Sequence, residues 1–270
     1  FDGLIDEVTT YNCPRGDPGT PIVRNKYSYD HLGRLLGNSR WVDNVATDVR
    51  TEKNIQYDLN GNITFIQRNL NGTAQDIYFG YEGNQITGGC INPQTVFLEL
   101  WFTSDLNGNL TSGSFYNCGI EYNYLNLPSM VGDVTYTYLS DGTRLSARKA
   151  NGAGVITRGS FSYAIDASGT IRLESVGHSE GRIYVGNSGE LKDCWNITDH
   201  LGNVRSVINP DGMIGSLWLE QSDYLPFGMR INELSDQLGA AQRWHFAGKE
   251  YQKFDSSDLG LIDFGARYYS

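Results

Sequence analysis

Tyr57-Asp58-Leu59-Asn60-Gly61-Asn62-Ile63-Thr64 is the phrase that decides the architecture, because the chain repeats it. It stands earlier as Tyr29-Asp30-His31-Leu32-Gly33-Arg34-Leu35 and later as Ser104-Asp105-Leu106-Asn107-Gly108-Asn109-Leu110-Thr111. Looser copies follow at Ile165-Asp166-Ala167-Ser168-Gly169-Thr170-Ile171 and Thr198-Asp199-His200-Leu201-Gly202-Asn203-Val204. In each, the aspartate can accept hydrogen bonds from amides two or more residues on, which closes a turn. The glycines Gly33, Gly61, Gly108, Gly169 and Gly202 stand where such a turn needs positive φ. The aliphatic residue that follows starts a return strand, and the tyrosine before the aspartate ends the outgoing one, where its ring can lie across a neighbour. Each copy therefore predicts strand, short turn, strand.

The text between the copies alternates with period two. Asp133-Val134-Thr135-Tyr136-Thr137-Tyr138-Leu139 runs into Asp141-Gly142, a strong hairpin dipeptide. Ile77-Tyr78-Phe79-Gly80-Tyr81 leads to Gly83-Asn84, and Arg182-Ile183-Tyr184-Val185 leads to Gly186-Asn187-Ser188-Gly189. Helical periodicity is confined to a short, Gly-interrupted stretch from Asn232 to Gln242. The expected fold is all-β. A phrase used this often is an architectural device, since an enzyme needs one site and a repeating sheet needs many turns. The aspartates are unevenly spaced, 28 residues from Asp30 to Asp58 and 47 from Asp58 to Asp105. A propeller of equal blades prefers a fixed period, so the spacing favours an antiparallel sheet that spirals.

Composition agrees. Among 270 residues there are 32 Gly and 17 Tyr, while charged residues make up 19% and apolar residues 39%, a mixture for many short strands with a substantial core. A net charge of −10 without a Lys/Arg cluster argues against a nucleic-acid partner. No apolar run reaches the length of a membrane-spanning helix. The opening Phe1-Asp2-Gly3-Leu4 is neither a start nor a signal peptide and reads as the middle of a longer polypeptide. Cys13, Cys90, Cys118 and Cys194 are scattered without a Cys-x-x-Cys pair, so they are expected as unpaired, partly buried thiols.

From Tyr184 onward the text repeats less. It carries Asp199 to Val207, then Tyr224-Leu225-Pro226-Phe227-Gly228, then Phe246-Ala247-Gly248-Lys249-Glu250, and closes on Leu259 to Tyr269 with Gly265, Arg267, Tyr268 and Tyr269. This ordered set resembles the Rhs repeat-associated core of bacterial Rhs/YD-repeat proteins, particularly those of the Bacteroides group, and the upstream phrases match that family's YD repeats. The resemblance implies a repeat shell over residues 1–183 and a core segment over 184–270. It implies a β-cage around a hollow interior, export, often through type VI secretion, and use against neighbouring cells. The implied partners are the rest of the shell and a C-terminal toxin held inside; open sheet edges would favour self-association. Family members continue past the Ala-Arg-Tyr-Tyr stretch with the aspartates used for self-cleavage, whereas this chain has Ser270 where the first is expected. No catalytic residue is therefore expected within it.

Other chemistry is thin. Asp255, Asp258 and Asp263 lie close together, but a solvated turn between Lys253 and Gly260 explains them more simply than a carboxylate dyad or a calcium loop. His31 and His200 sit at turn tips without metal-ligand spacing, and His245, between Trp244 and Phe246, reads as packed; neither metal nor cofactor is expected. No nucleophile elbow, phosphate loop or zinc-helix motif occurs. Tyr78, Phe79 and Tyr81, or Trp41, Trp101 and Trp218, could form a carbohydrate platform on a cell-surface adhesion module. Their strand positions favour packing instead.

Overall fold

The computed structural model describes residues 4–11, 22–93, 98–114, 119–186, 188–211, 218–232, 238, 242–254, 257–264 and 268–269. Every strand pairing among them is antiparallel, and no α-helix occurs there. The all-β expectation holds. Most of the short helical candidate, Asn232 to Gln242, lies outside the described residues, as do Cys13 and Cys118; Cys90 and Cys194 are free thiols.

The chain forms two compact units, residues 1–115 with 225–227, and residues 116–224 with 228–270. The first begins with a four-stranded sheet: β1 (Glu7–Tyr11), β2 (Ile22–Tyr29), β3 (Leu35–Val42) and β4 (Val45–Thr47) in sequence order. It continues with a six-stranded meander: β5 (Thr51–Tyr57), β6 (Ile63–Asn69), β7 (Ala74–Glu82), β8 (Gln85–Pro93), β9 (Leu98–Ser104) and β10 (Leu110–Gly113). Ile77, Leu100 and Phe102 form its core, flanked by Phe79, Ile86, Ile91 and Leu110. β3 approaches β5 so closely that a Cβ on Gly37 would meet the Glu52 carbonyl oxygen at 2.7 Å.

The second unit holds a twelve-stranded meander: β11 (Ile120–Tyr122), β12 (Pro128–Val131), β13 (Val134–Tyr138), β14 (Arg144–Lys149), β15 (Gly154–Arg158), β16 (Phe161–Ile165), β17 (Ile171–Gly177), β18 (Gly181–Val185), β19 (Leu191–Thr198), β20 (Val204–Ile208), β21 (Trp218–Tyr224) and β22 (Arg230–Asn232). The boundary read from the sequence between residues 183 and 184 falls inside β18 of this continuous sheet. β13 shows the period: Val134 and Tyr136 are buried and Thr135 and Thr137 exposed, so one face packs and the other meets water. Val131, Val134, Tyr136, Ala147 and Val155 make one core, and Tyr184, Cys194, Val204, Val207 and Leu219 another. The C-terminal part adds a 3-10 turn, Phe246–Gly248, and a three-stranded sheet of β23 (Glu250–Phe254), β24 (Ser257–Asp263) and β25 (Tyr268–Tyr269).

The repeated phrase folds as read, and to a single pattern. With the acidic residue at position 0, its amide donates to the carbonyl at +4, and the +3 amide donates back to its carbonyl: Asp58 N to Asn62 O at 2.9 Å and Gly61 N to Asp58 O at 3.2 Å. The same pair recurs at Asp30, Asp105, Asp166 and Asp199. Asp58 Oδ1 accepts from the amides of Asn60 and Asn62, and Oδ2 from the Asn62 side chain. All five glycines have positive φ, from 76° at Gly33 to 88° at Gly61. This is the three-residue hairpin loop in which a type I turn ends in a left-handed residue.

Further turns, at Asn123, Leu139, Lys149 and Gly186, make the same pair of backbone bonds without the phrase's aspartate. Asn123 replaces the aspartate and Asn126, at φ 62°, replaces the glycine; the bonds are the same. At Lys149–Ala153 the side-chain acceptor has moved to Asn151, two residues on.

Candidate functional site: a buried ionic seat for the C-terminal segment

Several hairpins are joined to an earlier one by a tyrosine hydroxyl, that of Tyr57 in the phrase and those of Tyr81, Tyr138 and Tyr224 outside it. Tyr57 donates to the carbonyl of Leu35 at 2.7 Å, Tyr81 to Ile63 at 2.9 Å, Tyr138 to Pro128 at 2.7 Å and Tyr224 to Val204 at 2.8 Å. Each acceptor is the +5 residue of the preceding turn, so one hairpin's outgoing strand is bonded to the previous hairpin's return strand. The +4 side chain adds a second link. Arg34 stacks over Tyr57 at 4.5 Å and donates to the Asp58 carbonyl, and Asn62 donates to Gly83 and Asn84 of the next turn.

In the fifth copy that outward-reaching residue, Asn203, takes the C-terminal segment instead. Its Nδ2 donates to Asp199 as elsewhere, while its Oδ1 accepts from the Ala247 amide at 2.8 Å. Val204 N donates to the His245 carbonyl, and Tyr184 OH to Gln242 Oε1 at 2.6 Å. Ala247 is left-handed at φ 50° and Gly248 at 64°. Gly228, at φ 88°, lies so near Phe246 that a Cβ would stand 2.5 Å from its ring. Tyr224 and Phe264 flank that ring with centroids at 5.9 and 6.4 Å, and Lys249 Nζ lies 5.8 Å over Phe264.

Ion pairs lie at the centre. Arg243, 2% exposed, grips Glu174 with both terminal nitrogens, at 2.7 and 3.3 Å, and gives Nε to Glu250 Oε1 at 3.0 Å. Arg144 of β14 holds the other oxygen of Glu250, and also Asp263 at 2.6 Å and Gln252 at 3.1 Å. Burial pushes the Glu250 carboxyl up, but Arg144 and Arg243 outweigh it and leave it below the ordinary range. Burial lowers Arg243, yet Glu174 and Glu250 more than offset it. Trp244 carries the Arg182 guanidinium at 3.7 Å and that of Arg243 at 5.3 Å. A second cluster joins Glu220 to Arg230 at 2.6 Å and to His245 Nδ1 at 3.3 Å, with Arg230 Nη1 3.2 Å from His245 Nε2. Burial raises the Glu220 carboxyl, and His245 and Arg230 bring it below its ordinary value.

Carboxylates held ionised by arginines anchor chain segments; general acid work needs a carboxyl poised near neutrality. The structure thus brings Tyr224, Gly228, Gly248, Lys249 and Glu250 together around this seat. In the first unit, Phe227 donates its amide to fully buried Glu52, which is paired with Arg68 at 2.7 Å. Pro226 is half-buried beside it. Tyr268 and Tyr269 form β25, paired with Asp263 and Ile262; Gly265, Arg267 and Asp255 lie outside the described residues, as does the side chain of Asp258. Asp263 lies beyond the expected turn and is not solvated with it: it ends β24, half-buried against Arg144. His245 is buried as expected, while His31 and His200 are exposed at turn tips. The sequence reading missed Arg144, Glu174 and Arg243, whose partners lie far away in sequence, and Glu220 and Arg230, which face each other across neighbouring strands but carry no motif.

No family model matches the chain, and no curated protein matches it. It is similar to solved TcdB2–TccC3 structures: the complex with Cdc42 (TM-score 0.44, 13% identity), the form without the hypervariable C-terminal region, and the TEV form (each TM-score 0.46, 14% identity). Each likeness covers 92% of this chain and 16% of the other, so the chain spans about a sixth of those proteins.

Proposed function

We propose that this chain is a wall-and-core segment of a bacterial Rhs-type shell, a non-enzymatic container that helps form a hollow β-cage around a C-terminal toxin. The observation that carries this reading is the tyrosine rung. A recurring hydroxyl-to-carbonyl bond from one hairpin to an earlier one supports a sheet that grows hairpin by hairpin, which is what a wall requires. The ionic seat supports the second part: it fastens the C-terminal segment to the sheet face through ionised groups that do not turn over. On this reading the partners are the rest of the shell and its cargo, the protein is exported, and its use is competition between cells. In the test, a reporter polypeptide is joined after Ser270 within the parent protein and exposed to protease. Protection that is lost in Glu250→Ala is expected; a reporter cleaved as fast as when free would end the container reading.

A second reading, a glycan- or protein-binding adhesion module, rests on one feature. Trp101 is 52% exposed on β9, and Tyr78 is exposed on β7 with its ring centroid 4.8 Å from that of Phe65. Micromolar binding on a glycan array, abolished by Trp101→Ala, would favour it.

A further inference from the structure

We propose that the cavity lined by Arg182 is a binding site for an acidic peptide, whose glutamate or aspartate carboxylate is taken by the Arg182 guanidinium. The site lies wholly in the second unit and needs neither the container reading nor the exposed Trp101.

Arg182 is the exception among the arginines around the C-terminal segment. Arg144 holds Glu250 and Asp263, Arg205 holds Asp223, Arg230 holds Glu220, and Arg243 holds Glu174 and Glu250. Arg182 holds no carboxylate among the described residues, in a chain with 31 acidic residues against 21 Lys and Arg. Its Nε donates to Ser175 Oγ at 3.1 Å, and its Nη2 to Ser162 Oγ at 3.0 Å and to the Ser160 carbonyl at 3.3 Å. Both serine side chains belong to fully buried residues, and Trp244 covers the guanidinium with its ring centre 3.7 Å from Cζ. Nη1 is left without an acceptor among the described residues. Burial lowers the Arg182 pKa, the direction for a cation short of a counter-charge. A carboxylate brought to Nη1 would supply both the charge and the acceptor.

The space for such a ligand is present. Arg182 lines a cavity of about 670 Å³, inside the range of about 300–1,000 Å³ usual for ligand sites. Ser160, Asn196 and Thr198 line it too, and their side chains make no hydrogen bond among the described residues. An amide and two hydroxyls both donate and accept, which suits the N–H and C=O groups of an extended peptide flanking its acidic residue. Glu180 is the one carboxylate in the lining, so a singly charged ligand fits better than a polyanion. The walls are preformed. His178 Nδ1 accepts from the Glu180 amide at 3.2 Å and Nε2 lies 3.1 Å from Asp193, while the Asn196 amide donates to the Glu180 carbonyl at 2.7 Å. A Cβ on Gly177 would stand 3.1 Å from Nη1, so glycine keeps that nitrogen open to a partner.

The test titrates the 270-residue chain with acetyl-Gly-Glu-Gly-amide, with its glutamine counterpart and with acetate, followed by NMR at the Arg182 Nε–H and the Asn196 side-chain amide. The glutamyl peptide should shift both signals and bind at least about tenfold more tightly than either control. Arg182→Lys should weaken it at least about tenfold, since an ammonium cannot keep the serine bonds and present a second nitrogen. Where Arg182→Lys unfolds the chain, Asn196→Ala and Gly177→Ala carry the test. Neither removes a bond of Arg182, and each should weaken the glutamyl peptide by about fivefold. Equal binding of the two peptides would overturn the proposal, as would acetate binding as tightly as the glutamyl peptide. So would an unshifted Arg182 signal, or affinity unchanged in both Asn196→Ala and Gly177→Ala. Reporter protection does not depend on Arg182, so failure here leaves the container reading standing.

Discussion

The turn at Asp58 and the seat at Glu250 both centre on a carboxylate with every oxygen engaged, yet they are built on opposite plans. The side-chain partners of Asp58 come from within four residues, and it stands half-exposed at a turn. Glu250 is largely enclosed, with 11% of its side chain exposed, and its partner Arg144 lies 106 residues away in sequence. One arrangement can form as soon as its own strand ends are made; the other exists only when the sheet and the C-terminal segment have met. The chain thus separates repeatable local structure from long-range fastening.

The largest expected effect breaks the second plan. Glu250→Ala leaves Arg144 and Arg243 with one fewer counter-charge in a buried place, and should destabilise the chain by about 3–5 kcal/mol. Chemical denaturation of the full chain measures it. A loss below about 1 kcal/mol, the range of an exposed pair, would mean that the seat is no more than a surface contact.

That contrast also fixes how much the sequence could tell. The hairpins were legible because every requirement of the turn is local: an acceptor oxygen, positive φ at +3, and an aliphatic return. Where the reading slipped, the chemistry had been kept with other letters, as at Asn123 and Asn126, or moved two places, as at Asn151. The tyrosine rung was half legible. Tyr29 and Tyr57 stood in the right column, but their acceptors are main-chain carbonyls, which carry no letter. The seat was scarcely legible. Phe246 to Glu250 were marked by resemblance alone, and Arg144, Glu174 and Glu220 look like ordinary strand residues until the sheet brings them under the segment.

Two glycines at the same φ sharpen the comparison. Gly61 and Gly228 both sit at 88°, but a Cβ on Gly61 would meet nothing within 4 Å while one on Gly228 would press on Phe246. Gly61→Ala should cost about 1 kcal/mol, the strain of a left-handed alanine. Gly228→Ala should cost about 3 kcal/mol, because overpacking against a ring held by Tyr224 and Phe264 adds to the same strain. Paired urea titrations give the difference directly. Equal losses would show that the packing around Phe246 is slack. Gly61→Asn should be close to neutral, since Asn126 already occupies the equivalent place.

Removing one rung is a smaller change. Tyr57→Phe and Tyr224→Phe each delete a hydroxyl-to-carbonyl bond and keep the ring, for a loss of about 0.5–1.5 kcal/mol. Tyr224 should sit at the upper end, because its acceptor, the Val204 carbonyl, lies in the buried core, whereas Tyr57 is half-buried. The reverse order in thermal denaturation would mean that the rungs matter most where hairpins repeat and least beside the seat.

The smallest effect is one of pH, and it falls on the turns. The Asn62 side chain, and then the amides of Asn62 and Asn60, hold the Asp58 carboxyl below its ordinary range; Asn109 and Ser168 do the same for Asp105 and Asp166. A carboxyl depressed on folding stabilises the fold above its unfolded pKa, near 4, and that contribution disappears as pH falls through the folded value. Asp58→Asn keeps an acceptor oxygen at position 0, as Asn123 does, and removes the titration. The variant should therefore match the parent below about pH 3 and fall slightly behind it at neutral pH, where the charged acceptor is the stronger one. Carbon-detected NMR of the carboxyls, followed from neutral pH downward, should find Asp58 titrating below a free aspartate. If Asp58 titrates normally, its hydrogen bonds are no better than those water would supply, and the turn is then held by its glycine and its backbone bonds alone.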